Sequence, residues 1–116
     1  MNIESRSQNS EFEKRIEAFR QIPLEPIDYC TRWVKANPNK GYRKSCINSL
    51  VKATGLSSQT IKNWGTNFTR RPQNLPHLLR QLDLLNQFVQ LVKTGQITLP
   101  PDFPQQYFVL LQHQKD

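Results

Sequence analysis

The chain has 116 residues, of which 36% are hydrophobic and 9% aromatic, and its formal net charge at pH 7 is +7. This length supports one domain with a modest hydrophobic core. Because no apolar run approaches the roughly 18 residues of a membrane-spanning helix, and because residues 1–10 lack the apolar region of a secretory signal, we expect a cytoplasmic protein without membrane contact.

The beginning of the chain predicts a flexible segment followed by an amphipathic helix. Flexibility is expected over residues 1–9. Ser10 and Glu13 have the spacing of a capping box, in which the serine caps a helix and the glutamate reaches back to it. Apolar residues then recur at helical spacing. We expect this helix to run to about Gln21, with an inner face of Phe12, Ile16 and Phe19.

Two further helices are predicted before the middle of the chain. One begins near Pro26, because proline suits the first turn of a helix, and it ends at the turn-forming residues 37–41. Its expected inner face consists of Ile27, Cys30, Trp33 and Val34. The next helix spans about residues 43–54 and ends at Gly55. Its expected inner face consists of Cys46, Ile47, Leu50 and Val51.

The second half of the chain predicts a short helix, a basic loop and a long helix. The short helix covers about residues 58–65 and is capped by Ser57. After the loop, the long helix spans about residues 75–93. We expect residues 96–116 to form an extension that packs on the domain or on a partner. Within it, residues 105–113 favour a helix over an added strand.

Together these elements predict an all-α fold, a compact bundle of five to six helices in one domain over residues 10–95. Cys30 and Cys46 lie on apolar helix faces, which is typical of buried, reduced thiols rather than of a disulfide. With His77 and His113 they lack the spacing of a zinc site. We therefore expect neither a metal nor a cofactor.

The charge of the chain is concentrated in one stretch. Residues 29–82 contain no Asp or Glu and ten Lys or Arg, a formal charge of +10, whereas the other six basic and nine acidic residues sum to −3. A protein that needs only solubility intersperses both signs. A block of one sign favours binding to a polyanion, most commonly a nucleic acid, and a solvated basic face without a partner is the alternative. The ten cations are Arg32, Lys35, Lys40, Arg43, Lys44, Lys52, Lys62, Arg70, Arg71 and Arg80.

Inside this block, residues 47–66 have the pattern of a helix-turn-helix. Such a motif needs two short helices that cross over a tight turn, apolar residues where they meet, and a polar outer face on the second helix. Gly55 can adopt the positive φ that a tight turn requires. The apolar contacts are expected from Leu50, Val51, Leu56, Ile61 and Trp64.

With these spacings, residues 47–66 resemble the helix-turn-helix of phage-repressor-like DNA-binding proteins. The continuation through Arg70, Arg71 and Pro72 into a leucine-rich helix resembles the Xre/Cro branch of that family. The resemblance covers about residues 43–85. It implies that duplex DNA is the partner.

The chain departs from the family pattern at a few positions. Val51 stands where the family usually has alanine, and Thr54 stands where it has an aliphatic residue. The loop before Pro72 is about one residue longer than usual. These departures concern the crossing of the two helices and the subfamily. A wing, as in the MerR-like class, is an alternative structure for residues 66–74.

The resemblance implies that the second helix of the motif and the start of the first helix contact DNA. The outward-facing residues, implied as base contacts, are Ser58, Gln59, Lys62, Asn63 and Thr66. Gln59 and Asn63 share one face of the helix, and their amides can donate and accept at an adenine edge in the major groove. The expected phosphate contacts are Arg43, Lys44, Ser57, Arg70 and Arg71, the serine because it lies at a helix N-terminus.

The long last helix carries more leucine than one buried face needs. One stripe consists of Leu75, Leu78, Leu79, Leu82, Leu85, Val89 and Val92. Leu84 and Leu91 lie on the opposite side. Either residues 103–111 cover these two leucines, or they form the interface of a homodimer. A homodimer is favoured, because it places two recognition helices about one DNA turn (~34 Å) apart.

The sequence therefore supports the hypothesis of a sequence-preferring duplex-DNA-binding protein, most simply a small transcriptional regulator that acts by occupancy. No enzyme is expected, because the basic block holds no carboxylates for metal-dependent phosphodiester cleavage and Asp28, Asp83 and Asp102 are scattered. Two alternatives stay open: a helical adaptor that binds an acidic protein partner, and an RNA-binding protein.

Overall fold

A computed structural model describes residues 3–37 and 39–105. This part of the chain contains five helices and no strand, so the all-α prediction is confirmed. No helix in it is long and apolar enough to cross a membrane. The predicted element at residues 105–113 lies, from residue 106 onward, outside the described residues. The helices are α1 (Ile3–Arg20), α2 (Pro26–Trp33), α3 (Tyr42–Thr54), α4 (Ser58–Lys62) and α5 (Leu75–Lys93).

The first helix begins earlier than the sequence predicts. α1 starts at Ile3, so Ser10 lies inside the helix and the capping-box prediction is wrong. The reason is that glutamate, arginine and glutamine, which are good helix formers, precede the serine and allow the helix to extend past it. Its expected inner face is poorly buried, because Phe12 is exposed and Phe19 is half-buried.

The chain divides into two compact units, residues 1–85 and residues 86–116, with the division inside α5. In the first unit α3 packs against both α2 and α4. The buried core of this unit draws on the segment before α2, on α2 to α5 and on the loops between them. It consists of Leu24, Tyr29, Cys30, Cys46, Ile47, Leu50, Ile61, Trp64, Phe68, Leu75 and Leu79. Ile27, which the sequence placed inward, is exposed.

The junction between α3 and α4 follows the predicted pattern. Gly55 has a φ of 75°, a left-handed conformation that most side chains avoid, and its N–H donates to the Val51 carbonyl at 2.8 Å. Thr54 also contributes to this junction. Its hydroxyl donates to the Leu50 carbonyl at 2.6 Å and accepts from the Leu56 N–H at 3.2 Å. The threonine therefore closes the turn with hydrogen bonds.

The second helix of this pair is shorter than predicted. α4 ends at Lys62, whereas the sequence predicted a helix to about residue 65. The backbone tightens at this point, because the Trp64 N–H donates to the Ile61 carbonyl at 3.0 Å and the Gly65 N–H to the Lys62 carbonyl at 3.2 Å. These bonds span three residues, as in a 3₁₀ turn. Gly65 then has a φ of 94° and directs the chain into the following loop.

The loop between α4 and α5 contains turns and no strand over residues 66–74. The structure therefore gives no support to a β-stranded wing at this place. Trp64, before the loop, lies in the core. Phe68, within the loop, is also buried there and has a φ of 57°. A positive φ in a non-glycine residue is uncommon and marks a constrained backbone.

The buried face of α5 differs from the leucine stripe in the sequence. Leu78 and Leu85 are 43% and 54% exposed, although both belong to that stripe. The buried residues of this helix are Leu75, Pro76, Leu79, Arg80 and Asp83. The face of α5 that packs into the core therefore includes Arg80 and Asp83, which the leucine stripe did not predict. A polar network draws these two side chains inward.

That network centres on the carboxylate of Asp83, which is 0% exposed. The carboxylate accepts from Arg32 Nε at 2.7 Å, Trp33 Nε1 at 2.9 Å and Arg80 Nη1 at 2.7 Å. Arg80 Nε also donates to the Ile22 carbonyl at 2.8 Å. Burial acts to raise the pKa of Asp83, but the hydrogen bonds from the three donors outweigh it and hold this pKa below its ordinary value. The network therefore joins α2 and the segment before it to α5.

The second unit is described over residues 86–105. The end of α5 is closed at Gly95, which has a φ of 77°, while the Gln96 N–H donates to the Leu91 carbonyl at 2.9 Å. A left-handed glycine is a common way for a helix to end. Turns follow over residues 101–104, in the proline-rich part of the sequence.

Candidate nucleic-acid interface

A groove of about 510 Å³ lies between the first half of α3 and α4. The packing of these helices over Leu50 and Ile61 leaves their outer faces side by side. The groove is lined by cationic and polar side chains and by one aliphatic one, and no carboxylate from residues 3–37 or 39–105 lines it. The lining residues are Arg43, Lys44, Ile47, Asn48, Ser58 and Lys62.

Four of the sequence-predicted contact residues meet in this groove. Arg43 and Lys44 come from α3, and Ser58 and Lys62 come from α4. Asn48 also lines the groove and was missed by the sequence analysis. Its spacing of four residues after Lys44 places both side chains on one face of α3 and is the signal that could have identified it.

Gln59 and Asn63, the predicted base-reading pair, form a hydrogen bond with each other. Gln59 Nε2 donates to Asn63 Oδ1 at 3.0 Å, and both residues are exposed. In this arrangement the glutamine carbonyl oxygen remains an acceptor and the asparagine amide nitrogen remains a donor. The pair can therefore present one acceptor and one donor together, which is the complement of an adenine edge in the major groove.

The two remaining polar candidates around α4 use part of their hydrogen-bonding capacity inside the protein. The Ser57 hydroxyl caps the helix by accepting from the Thr60 N–H at 3.1 Å, and it lies 2.9 Å from Thr60 Oγ1. Thr66 is exposed, but its carbonyl accepts from Arg43. The role of Ser57 in the structure is that of an N-cap.

Arg43 reaches across from α3 to the loop that follows α4. Its Nη1 donates to the Thr66 carbonyl at 2.8 Å and its Nη2 to the Gly65 carbonyl at 3.2 Å. The guanidinium also lies over the Phe68 ring, with its Cζ 5.0 Å from the ring centroid. Both ends of the guanidinium fork are therefore engaged by the protein itself.

Arg70 lies beside the end of α4. Its backbone N–H donates to the Trp64 carbonyl at 3.0 Å, which folds the loop back toward the helix. Its guanidinium covers Gly65, where an added Cβ would lie 3.4 Å from Nη2. The side chain is exposed and forms no ion pair with any residue that the structure describes.

Arg71, in contrast, is paired with an acid. Its Nη2 lies 2.7 Å from Glu25 Oε1, and its Nε lies 3.1 Å from Oε2, which is a two-point contact. These hydrogen bonds lower the pKa of Glu25 and raise the pKa of Arg71. A phosphate at this position would have to compete with the Glu25 carboxylate.

The ion pairs divide the ten cations of the basic stretch. Three of them, Arg32, Arg71 and Arg80, are bound by carboxylates that lie outside residues 29–82. The other seven form no ion pair within the described part of the chain. These are Lys35, Lys40, Arg43, Lys44, Lys52, Lys62 and Arg70.

The two leucines predicted as a dimer interface belong to different units. Leu84, in the first unit, is half-buried. Leu91, in the second unit, is exposed. Most of the segment predicted to cover them lies outside the described residues, so the homodimer stays a prediction.

The cysteines are buried free thiols in the core. Burial, followed by a hydrogen bond with Cys46, raises the pKa of Cys30 far above its ordinary value. A thiol in such surroundings stays protonated. Across residues 3–37 and 39–105, no three His, Cys, Asp or Glu side chains converge on a place where they could hold a metal ion.

Comparison with known proteins adds no assignment to this geometry. The chain matches no protein-family model, no curated protein and no solved structure. Function is therefore argued from the site itself.

Proposed function

We propose that this chain binds duplex DNA through the outer faces of α3 and α4. The observation that carries the proposal is the hydrogen-bonded pair Gln59–Asn63, which is exposed on α4 and its C-cap, next in sequence to the groove residues Ser58 and Lys62. Amides suit the edges of bases, whereas the neighbouring ammonium and guanidinium groups suit phosphates. A contact surface that combines both can supply affinity and sequence preference.

Cations that form no ion pair within the described residues support the same proposal. Lys44 and Lys62 line the groove without an acidic partner, and Arg70 lies exposed after α4. Each of these groups can release a condensed counterion when it neutralises a phosphate, which is the main source of affinity for DNA. With the amides reading sequence, the simplest biological role is a transcriptional regulator that acts by occupying its site.

The proposal predicts that the amide pair sets sequence preference. In a Gln59→Ala, Asn63→Ala variant, the ratio of the dissociation constants for a random duplex and for a duplex selected by the unmodified chain should fall about five-fold or more. The reason is that a good base contact contributes about 1–3 kcal/mol of discrimination. Fluorescence anisotropy with both duplexes at one salt concentration measures this ratio.

The matched control replaces two exposed glutamines on α5, Gln81 and Gln90, by alanine. This variant should keep the ratio of the unmodified chain. An equal loss of affinity on both duplexes in the Gln59, Asn63 variant would show that these amides do not read bases. Binding of single-stranded RNA in preference to either duplex would favour RNA as the partner. Binding to an acidic protein with none to duplex would favour the adaptor.

A further inference from the structure

We infer that Arg43 does not contact a phosphate itself. Instead, it supports DNA binding by holding in place the loop that carries the exposed cation Arg70. This inference rests on the proposed function. The loop concerned is residues 64–70, here called the α4 loop. Arg43 was predicted from the sequence to bind a phosphate, but its two terminal nitrogens each donate to a carbonyl of this loop, at 2.8 Å and 3.2 Å.

The α4 loop needs such a support because its backbone is constrained. Gly65 and Phe68 both have positive φ, 94° and 57°. In a non-glycine residue this conformation is disfavoured by contacts of the Cβ with the backbone, so it persists only where neighbouring contacts hold it. The Phe68 ring supplies one hold by entering the core, and the guanidinium of Arg43 lies over that ring.

The constrained backbone sets the position of Arg70. The Phe68 N–H donates to the Gly65 carbonyl at 3.1 Å and the Arg70 N–H to the Trp64 carbonyl at 3.0 Å, so the loop turns back on itself. As a result the Arg70 guanidinium lies over Gly65, beside the last residues of α4. Arg43 binds the carbonyl of this same glycine. Gly65 is therefore contacted both by Arg43 from α3 and by the exposed cation Arg70.

A thermodynamic cycle on the full chain tests the inference. Affinity for DNA falls as salt rises, so the slope of log K against log salt is negative. Removal of one phosphate contact reduces the magnitude of this slope by about 0.9, so the loss of affinity between 50 mM and 200 mM salt becomes about 3.5-fold smaller. We expect Arg70→Gln and Arg43→Gln each to show this change. The double variant should show it only once, because without Arg43 the Arg70 contact is already lost.

Lys44→Gln is the matched control, because Lys44 is the neighbour of Arg43 and lines the same groove. Combined with Arg70→Gln, it should lower the slope by about 1.8, as expected for two separate contacts. The same additive result for Arg43 with Arg70 would overturn the inference, because Arg43 would then be a contact of its own. An unchanged slope in Arg43→Gln would overturn it as well.

A second measurement needs no DNA. Hydrogen exchange of the Phe68 and Arg70 amides should be about ten-fold or more faster in Arg43→Gln and unchanged in Lys44→Gln, since the side chain of Arg43, unlike that of Lys44, donates to carbonyls of the loop. Unchanged exchange in Arg43→Gln would contradict the support role. If the unmodified chain bound no duplex at all, the proposed function and the role of Arg70 in it would fall, whatever the exchange result.

Discussion

Asp83 shows how much one side chain contributes to this structure. It is fully buried, it lies in the middle of α5, and it accepts hydrogen bonds from Arg32, Trp33 and Arg80. A buried carboxylate is tolerated only when its charge and its lone pairs are satisfied. Arg80 has the same need, because it is itself 7% exposed. The carboxylate of Asp83 and the guanidinium of Arg80 can therefore be buried only together, because each neutralises the charge of the other.

Removal of this carboxylate should destabilise the protein strongly. Asp83→Asn keeps the shape but leaves the buried guanidinium of Arg80 without a counter-charge, and breaking a buried pair in this way costs about 3–5 kcal/mol. Urea unfolding at pH 7 measures the loss. Glu25→Gln is the matched control, because it breaks an ion pair in which the acid side chain is 47% exposed. It should cost about 1 kcal/mol or less, and equal losses would contradict this account.

The same variant should alter the response to acid. The pKa of Asp83 is lower in the folded chain than in the unfolded chain, so its stabilisation is complete above the unfolded pKa of about 3.9 and is lost as the pH falls toward the folded pKa. Stability should thus fall from about pH 5 downward, and less steeply in Asp83→Asn. The pKa of Glu25 is also lowered in the folded chain, so the Asp83→Asn variant should still lose some stability in acid. An unchanged pH dependence in Asp83→Asn would count against the network.

At the scale of the elements, α3, its turn and α4 show what local sequence determines. The glycine, the apolar residue after it and the serine cap lie at their predicted places, because each satisfies a local backbone need. The end of α4 was missed, since it depends on the i+3 hydrogen bonds after Ile61 and on the contacts of the following loop. The start of α1 was missed because its residues favour a helix on both sides of Ser10.

The turn gives a prediction at this scale. At Gly55 an added Cβ meets nothing within 4 Å, so only the φ of 75° opposes a side chain. Gly55→Ala should therefore cost about 1–2 kcal/mol of unfolding free energy, and Gly55→Asn should cost less, because asparagine tolerates the left-handed conformation. Urea unfolding of both variants measures the difference. An alanine variant as stable as the asparagine variant would show that the turn changes its conformation freely.

The orientation of α5 shows the limit of periodicity. The leucine stripe predicts one buried face, but the observed face passes through Arg80 and Asp83 and leaves Leu78 and Leu85 exposed. Hydrophobic spacing cannot reveal this, because the partners Arg32 and Trp33 lie about 50 residues earlier in the chain. The limits of the helix were predictable from local signals, whereas its rotation depended on a distant charge pair.

At the scale of the whole molecule, the basic stretch is less uniform than its composition indicates. Two carboxylates outside residues 29–82, Glu25 and Asp83, bind three of its ten cations. A charge count could not show this, since these pairs are formed by the fold. The other seven form no ion pair with any residue that the structure describes, and three of them line the α3–α4 groove. The groove is thus the place where three of these cations lie together.

This distribution predicts that position matters more than total charge. Lys62→Gln and Lys35→Gln lower the net charge equally, but only Lys62 lines the groove. If binding used the diffuse field alone, both variants would lose affinity for duplex DNA to a similar extent, because exposed charges act over about a Debye length. If Lys62 contacts a phosphate, its removal should lower the slope of log K against log salt by about 0.9, while Lys35→Gln leaves the slope nearly unchanged. Anisotropy titrations from 50 mM to 200 mM salt decide between the two, and equal slopes in both variants would move the contact surface away from this groove.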